Sequence, residues 1–246
     1  MGQVRRRNED SFSIIPDLGI AVVADGMGGH PGGDVASRIA AEAAARHLAD
    51  AVAGLRVAGG EGEADVAQVA GFTAHFGPVM AEAVRRAHEA VREEASAQPS
   101  LDGMGTTLTA MILSPESGAW IIGHVGDSRA YRLRDGSLDQ LTRDDTWIQD
   151  QIERGVMQPE SAKLSPYAHL LTQCIGREDP PSPQVLDGAA ESGDRYLLCT
   201  DGLAGMIDDA RVAEVLGTES PLDTLIAEAN EAGGQDNITA ALLHYG

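Results

Sequence analysis

The chain has 246 residues, 43% of them hydrophobic, and its 18 lysine and arginine residues against 38 aspartate and glutamate residues give a formal net charge of −20. This length suffices for one domain with a sizeable core, and the negative charge disfavours nucleic acid or an anionic membrane as a partner, because both require clustered cations. Lys163 is the only lysine, which excludes a P-loop. No apolar run is long enough to span a membrane, and we expect a soluble, cytoplasmic, monomeric protein.

The predicted elements come as groups of strands and groups of helices. In chain order, the apolar patterns predict strands at 11–15 and 20–24, helices at 34–52 and 78–95, strands at 106–113, 120–125 and 130–134, a helix at 146–154, a strand at 196–199, helices at 209–216 and 221–232, and a strand at 237–244. Residues 54–75 have weak patterning and are expected to form a loop. Consecutive strands joined by hairpin turns indicate antiparallel sheets with helices packed outside. The sequence therefore predicts an α+β layered sandwich in one domain over 1–246.

Four aspartates stand next to predicted strands, each beside a glycine or an asparagine: Asp25, Asp127, Asp201 and Asp236. A carboxylate at the end of a buried strand is costly unless a cation compensates its charge. A single aspartate in such a place is more often a turn residue or a helix cap, but four are harder to explain in that way. Carboxylate oxygens suit Mg²⁺ or Mn²⁺ better than zinc, so the pattern favours a site for a hard divalent cation.

The segments around the first strands add candidate anion-binding groups. Residues 25–33 contain five glycines, which allow a backbone to approach an ion or phosphate closely, although a flexible turn is the alternative. His30 in this segment is a candidate general acid, while a lone histidine is more often structural. Arg5, followed by Glu9 and Asp10, is a candidate phosphate clamp because a guanidinium binds phosphate oxygens bidentately. An exposed, charged N-terminal segment is an equally good interpretation of these residues.

The sequence also excludes several nucleophilic enzymes. A cysteine phosphatase needs an arginine six positions after its cysteine, and Pro180 and Gly205 stand at those places after Cys174 and Cys199. The chain contains neither the G-x-S-x-G nor the H-E-x-x-H motif. If the protein is a hydrolase, the absence of these motifs favours direct attack by water over a covalent intermediate on a cysteine or serine.

Six short motifs occur in one order along the chain: Arg5-x-x-Asn8-Glu9-Asp10, Asp25-Gly26-Met27-Gly28-Gly29-His30, Gly105-Thr106-Thr107, Gly126-Asp127-Ser128-Arg129, Thr200-Asp201-Gly202-Leu203 and Asp236-Asn237-Ile238-Thr239. Together they resemble the bacterial branch of the type 2C (PPM) metal-dependent protein serine/threonine phosphatases, over residues 2–243. The resemblance implies a four-layer α/β/β/α sandwich of two antiparallel sheets flanked by helices. It also implies hydrolysis of phosphoserine and phosphothreonine in proteins by a hydroxide that bridges two Mn²⁺ or Mg²⁺ ions, with a third, weaker ion nearby.

The same resemblance implies roles for the acidic residues. Asp25 would bridge both core ions, and the Gly26 carbonyl would bind the first of them. Asp201 and Asp236 would bind the second ion, and Asp127 would recruit the third. The implied partners are phosphorylated proteins, in particular a bacterial Ser/Thr kinase and its substrates. The alternative is a catalytically weak regulator of the same fold that only binds phosphoproteins.

Other positions are implied to support these ligands. Arg5 would clamp the substrate phosphate, and Glu9, Asp10 and Asn237 would hold the ligands and their waters in place from behind. Animal members of the family carry a histidine immediately after the Asp-Gly pair, but this chain has Met27 there. The resemblance therefore leaves His30 or a metal-bound water as the acid that protonates the leaving group.

Two further segments bear on substrate binding and on the first strand. Residues 144–175 correspond to a flap beside the metal centre and are expected to contact the protein part of the substrate. Asp145, where relatives often have histidine, is expected to make this flap more acidic and to disfavour acidic phosphopeptides. Residues 1–4 leave little room for the strand that usually precedes the clamp arginine, so the first strand pairing is expected to be short or incomplete.

Overall fold

Two antiparallel β-sheets stacked face to face form the centre of the structure. The computed structural model describes residues 1–27, 32–58, 66–162 and 165–246. The strands are β1 (Asp10–Ile15), β2 (Ile20–Asp25), β3 (Leu108–Leu113), β4 (Ala119–Val125), β5 (Arg129–Arg134), β6 (Ser137–Gln140), β7 (Gln184–Ala189), β8 (Arg195–Cys199) and β9 (Ala240–His244). The first sheet has the order β1-β2-β3-β4-β7, and the second has the order β6-β5-β8-β9. Every neighbouring pair is antiparallel, as the hairpin spacing predicted.

Helices cover the outer face of each sheet. They are α1 (Gly33–Ala58), α2 (Val66–Ala97), α3 (Trp147–Glu153), α4 (Pro159–Ala162), α5 (Asp201–Ala204), α6 (Asp209–Leu216) and α7 (Pro221–Glu231). The long helices α1 and α2 pack on the first sheet, while α5, α6 and α7 pack on the second. The resulting helix–sheet–sheet–helix arrangement confirms the predicted four-layer sandwich. Within the described residues, no helix has the length and hydropathy needed to cross a membrane.

Strand alternation distributes side chains among three apolar layers. Along β3, Ile112 points to the layer under α1 and α2, whereas Met111 points to the layer between the sheets. Along β8, Tyr196 joins the layer between the sheets and Leu197 joins the layer under α5, α6 and α7. Because β3 is covered on both faces, all six of its residues are buried. Packing in these layers holds the central strands in place and thereby sets the positions of the residues at the strand ends.

The prediction of a loop over 54–75 is wrong for the residues that the structure describes. Helix α1 continues to Ala58 and α2 begins at Val66, while residues 59–65 lie outside the described residues. The rings of Phe72 and Phe76 lie 4.5 Å apart and pack against the layer under the helices. This packing outweighs the poor helix propensity of the glycines there. Pro78, predicted to begin the second helix, lies inside α2.

The strands at the sheet edges were predicted less well than the central ones. The predicted list omits β6 and β7, which are held by pairing with β5 and β4 rather than by a strong local pattern. Residues 1–9 form no strand, but β1 pairs with β2 over six consecutive residues. In the described part of the chain, no strand covers the outer edge of β9.

The strand ends place the predicted acidic residues at one end of the sandwich. Asp25 ends β2 and lies directly opposite Asp10, the first residue of β1. Asp127 follows β4, and Asp201 follows β8 by two positions. Asp236 precedes β9, whose first residue is paired with the last residue of β8. Antiparallel pairing therefore converts four separate sequence positions into one cluster.

Candidate active site

A cleft of about 580 Å³ opens at this end of the sandwich. Its lining includes the predicted carboxylates Asp25, Asp127, Asp201 and Asp236. Asp10 is buried behind them, and its Oδ2 atom accepts a hydrogen bond of 2.9 Å from the Thr200 hydroxyl. The structure thus brings together all five aspartates that the sequence singled out.

Burial and mutual repulsion shift the pKa values of these carboxylates. Burial, reinforced by repulsion from Asp10 and Asp201, raises the pKa of Asp25 well above its usual value. Burial raises the pKa of Asp10 to about 6 and that of Asp127 to about 7, with Asp201 adding repulsion in both cases. Burial would also raise the pKa of Asp201, but contacts with His169 and Asp25 keep it below the usual value. Cations at the cluster would relieve this repulsion.

Two oxygens of the cluster provide an independent test for a metal. Within the described residues, Asp10 Oδ1 and Asp201 Oδ1 are buried and have no hydrogen-bond partner. Buried carboxylate oxygens without a donor are costly, so they indicate a missing cationic partner. The surrounding donors are mainly oxygens, which Mg²⁺ and Mn²⁺ prefer. The residues present therefore fit a divalent metal centre.

Backbone contacts hold Asp25 and Gly26 in place. The Asp25 N–H donates to the Thr107 hydroxyl, and the Thr107 N–H donates to the Asp25 carbonyl, both at 2.9 Å. The Gly26 N–H donates to the carbonyl of Glu9 at 3.0 Å. A Cβ atom on Gly26 would lie 2.2 Å from the Gly33 carbonyl oxygen, so the close approach expected of this glycine is present. His30 lies outside the described residues.

Arg5 reaches the cleft from the N-terminal segment. Its Nη2 atom lies 2.5 Å from Asp236 Oδ2, and 40% of its side chain remains exposed. The side chain of Asn237 fixes this segment: its Nδ2 donates to the carbonyls of Met1 and Arg7 at 3.0 and 2.9 Å, and its Oδ1 accepts from the Glu9 N–H at 2.8 Å. Asn237 thus supports the site by holding the segment that carries Arg5.

Asp145 does not have the role that the sequence suggested. Its side chain is only 3% exposed. Its Oδ2 accepts from the Gly126 N–H at 3.0 Å, and its own N–H donates to the Gly126 carbonyl at 2.7 Å. The expectation that Asp145 adds negative charge to the flap surface is therefore wrong, because the carboxylate is turned inward to satisfy a backbone donor. It instead fixes the residue that precedes Asp127.

The base of the flap is closed by short-range pairing between its two ends. Thr146 forms an isolated β-bridge with Leu171, and the Trp147 N–H donates to the Leu170 carbonyl at 2.8 Å. Asp144, where the flap begins, accepts three hydrogen bonds from the guanidinium of Arg129, the shortest from Nη2 to Oδ2 at 2.7 Å. Residues 163 and 164 of the predicted flap lie outside the described residues. The flap therefore leaves the sandwich from a fixed base directly beside the cleft.

The flap supplies a residue that the sequence reasoning missed. His169 lines the cleft, and its Nδ1 lies 3.6 Å from Asp201 Oδ2. One ligand atom each from Asp127, His169 and Asp201 can be chosen so that all three lie within 4.8 Å of one another. The Asp201 carboxylate raises the pKa of His169. No sequence motif identifies this histidine, because it is distant from Asp201 in the chain and only the folded structure brings the two side chains together.

The pKa shifts of the cluster predict how the metal-free protein responds to pH. The folded-state pKa values of Asp10 and Asp127 lie above the unfolded value of 3.8, so the folded state binds more protons between these limits. Stability should therefore fall as pH rises from about 4 to about 7. Thermal melts in EDTA should show this fall, and excess Mn²⁺ should reverse it at pH 7.5.

A matched pair of variants separates the cluster from the overall negative charge. Asp127→Asn should make the fall in melting temperature smaller, whereas Glu93→Gln, on the exposed face of α2, should leave it nearly as in the parent. Equal pH dependence in all three proteins would contradict this assignment to the cluster.

Comparison with known proteins relates nearly the whole chain to one family. Residues 4–243 match the family model described as protein phosphatase 2C. The serine/threonine protein phosphatase PstP of Mycobacterium tuberculosis is 36% identical over 248 residues, which cover 98% of this chain and 43% of that protein. The chain thus spans less than half the length of this relative. Protein phosphatase PhpP of Streptococcus pneumoniae is 33% identical over 251 residues, covering 99% of this chain and 94% of that protein.

Solved structures give the same result. A crystal structure of the M. tuberculosis PstP phosphatase has a TM-score of 0.82 and 34% identity, covering all of this chain (100%) and 95% of that one. The catalytic domain of PstP in complex with two manganese ions has a TM-score of 0.78 and 34% identity, covering 98% of this chain and 93% of that one.

Proposed function

The chain belongs to the protein phosphatase 2C family, and from that premise we propose that it is a metal-dependent enzyme that hydrolyses phosphoserine and phosphothreonine in proteins. The observation that carries the proposal is the convergence of Asp25, Asp127, Asp201 and Asp236 with Arg5 in one cleft. The alternative of a weakly active phosphoprotein-binding regulator has no comparable support, because every carboxylate implied as a ligand is present at the cleft.

The carboxylates would hold the metals. Asp25, Asp201 and Asp236, with the carbonyl of Gly26, would bind two divalent cations, and Asp127 would bind a third, weaker one. When bound, such ions lower the pKa of water and neutralise charge on a phosphate. The orphaned Asp201 Oδ1 and the raised pKa of Asp25 both support this assignment. The donor set suits both Mn²⁺ and Mg²⁺.

Arg5 would bind the phosphate of the substrate. A guanidinium has five N–H donors, and the contact with Asp236 uses one of its terminal nitrogens. The remaining donors can bind phosphate oxygens and stabilise the charge that develops on them during transfer. Asn237 limits the motion of the segment behind Arg5, so the clamp is positioned before the substrate arrives.

His169 would protonate the leaving alkoxide of serine or threonine. It lies beside Asp201 in the cleft, and this carboxylate favours its protonated form. Among the described residues it is the histidine placed to act as this acid, while His30 lies outside them and a metal-bound water is the other candidate. Its place on the flap would couple proton transfer to contact with the protein substrate.

The remaining elements of the proposal concern the protein context. Residues 1–246 would form a single catalytic domain, and the flap at about 144–175 would contact the polypeptide on both sides of the phosphoresidue. A bacterial serine/threonine kinase and its substrates would be the partners. A monomeric state and a cytoplasmic location complete the proposal.

The first test is metal dependence. Hydrolysis of p-nitrophenyl phosphate should require Mn²⁺ or Mg²⁺ and should be lost in EDTA, since water is a poor nucleophile without the metals. Asp201→Ala should lower kcat/KM by at least about 100-fold, a loss of roughly 2.7 kcal/mol of transition-state stabilisation. Asp223→Ala, an exposed carboxylate of α7, should keep the parent rate. Full activity after exhaustive chelation would overturn the metal-dependent mechanism.

The second test concerns Arg5. Arg5→Ala should raise KM for a phosphopeptide by about 10- to 100-fold, because it removes one or two charge-assisted hydrogen bonds to the phosphate. Arg5→Lys should restore little, since a single ammonium cannot replace the planar fork. The neighbouring exposed Arg6→Ala is the matched control and should behave as the parent. An unchanged KM in Arg5→Ala would assign Arg5 a purely structural role.

The third test separates His169 from the metal ligands by the leaving group. His169→Ala should lower kcat for a phosphothreonine peptide by about 100-fold or more, the usual contribution of a general acid. The same variant should lose much less on p-nitrophenyl phosphate, because p-nitrophenolate leaves without protonation. Equal losses on both substrates would contradict the proton-donor role and assign the histidine to the metal centre.

A further inference from the structure

Two arginines line the cleft without any acidic partner of their own. Arg92 of α2 and Arg177, which follows the flap, both line the cavity that holds the aspartate cluster, and both side chains are exposed. In the part of the chain that the structure describes, neither forms a salt bridge. Asp102 and Glu178 line the same cavity without approaching either guanidinium to within 4.0 Å.

What distinguishes these two arginines is that both lie unpaired in the same concave surface. Many other arginines are paired with carboxylates, some with two or three of them, as for Arg85, Arg134, Arg143 and Arg211, while described arginines that form no salt bridge, such as Arg6 and Arg154, lie outside the cleft. The chain has 38 acidic residues against 18 basic ones, about two carboxylates for each cation. Two unpaired guanidinium groups in one concave surface therefore remain available to an anion from outside.

Specific packing brings the two arginines to the same place. The Gly176 N–H donates to Nδ1 of His88 at 3.2 Å, and Arg92 lies one helical turn beyond His88 on the same face of α2. Gly176 has a φ of +95°, and a Cβ there would lie 2.7 Å from the Met104 carbonyl oxygen and from Val91 Cγ1. Only glycine lets the segment pack so closely on the helix, and this close packing sets Arg177 beside the turn that carries Arg92.

The same segment is tied to the aspartate cluster. Ile175 and Thr106 exchange two backbone hydrogen bonds, of 2.8 and 3.1 Å, and the next residue, Thr107, is bonded to Asp25. Arg177 follows Ile175 by two positions, which corresponds to at most about 7 Å of extended chain. The backbone that carries Arg177 is thus tied to the strand ends that carry the aspartates, and both arginines line the same cleft as the cluster.

We propose that Arg92 and Arg177 form a second anion subsite, which binds a second phosphorylated side chain of the substrate. The proposal rests on the proposed phosphatase activity. In an extended peptide, side chains two positions apart point to the same side and are about 6.5 to 7 Å apart. Because the arginines and the aspartate cluster line the same cleft, a phosphoresidue two positions from the one being hydrolysed would lie on the side of the peptide that faces the arginines. Paired guanidinium groups favour a dianionic phosphate over a carboxylate.

Three phosphothreonine peptides test this subsite. They are identical except at the positions two residues before and after the phosphothreonine, which carry glutamine, glutamate, or a non-hydrolysable phosphonate analogue of phosphoserine. With Mn²⁺ present, kcat/KM for the phosphonate peptide should exceed that for the glutamine peptide by about 10-fold, with glutamate in between. The ratio is taken within each enzyme, so changes common to all peptides cancel.

Variants assign the preference to the two arginines. In Arg92→Gln/Arg177→Gln the ratio should fall to about one, and in Arg177→Glu it should fall below one. Arg46→Gln, an exposed arginine of α1 outside the cleft, should keep the ratio of the parent. A ratio near one in the parent, or an unchanged ratio in the double variant, overturns the subsite. Failure of the parent to hydrolyse both p-nitrophenyl phosphate and the glutamine peptide would instead overturn the proposed function, and the subsite with it.

Discussion

Electrostatic repulsion among carboxylates that the fold forces together is the constraint on which the rest of this structure depends. Asp10 and Asp25 are directly opposed on paired strands, and Asp127, Asp201 and Asp236 converge on the same end of the sandwich. The apolar layers on both faces of the central strands must offset the cost of this arrangement. Burial and this repulsion together raise the pKa values of Asp10, Asp25 and Asp127, and the cluster, with two buried oxygens that lack a partner, is a strong site for cations. Stability and ligand binding thus depend on the same carboxylates.

The loops around the cluster resist that repulsion through hydrogen bonds from uncharged groups. Thr107 forms hydrogen bonds with both the N–H and the carbonyl of Asp25, and the Thr200 hydroxyl donates to one carboxylate oxygen of Asp10. Asp145 holds Gly126, next to Asp127, by two hydrogen bonds. The contacts of Thr107 and Asp145 use backbone groups of residues at strand ends, whereas the contact of Thr200 joins two side chains. Apart from the contacts of Asp236 with Arg5 and of Asp201 with His169, neutral groups hold these carboxylates, and the excess of acidic groups gives the cleft a negative potential that attracts divalent ions.

The sequence predicted what is local and could not predict what is set by distant contacts. The central strands and the aspartates beside them were found because apolar runs and their flanking residues are adjacent in the chain. The expected loop over 54–75 was wrong because Phe72 and Phe76 stabilise helix through packing on a sheet that the local pattern does not contain. Asp145 was misjudged because its partner is the backbone of Gly126, nineteen positions away. His169 was missed since only the folded flap brings it to Asp201.

The side chain of Asn237 connects, through hydrogen bonds, two parts of the chain that are far apart in sequence. It bonds to Glu9 and Arg7 across separations of 228 and 230 residues, and Gly234 accepts hydrogen bonds from the N–H groups of Gln3 and Val4. These contacts span more than two hundred residues, so they can form only when these two distant parts of the chain have been brought together. Because β9 directly follows this region, the residues that complete the second sheet also complete the seat of the segment that carries Arg5.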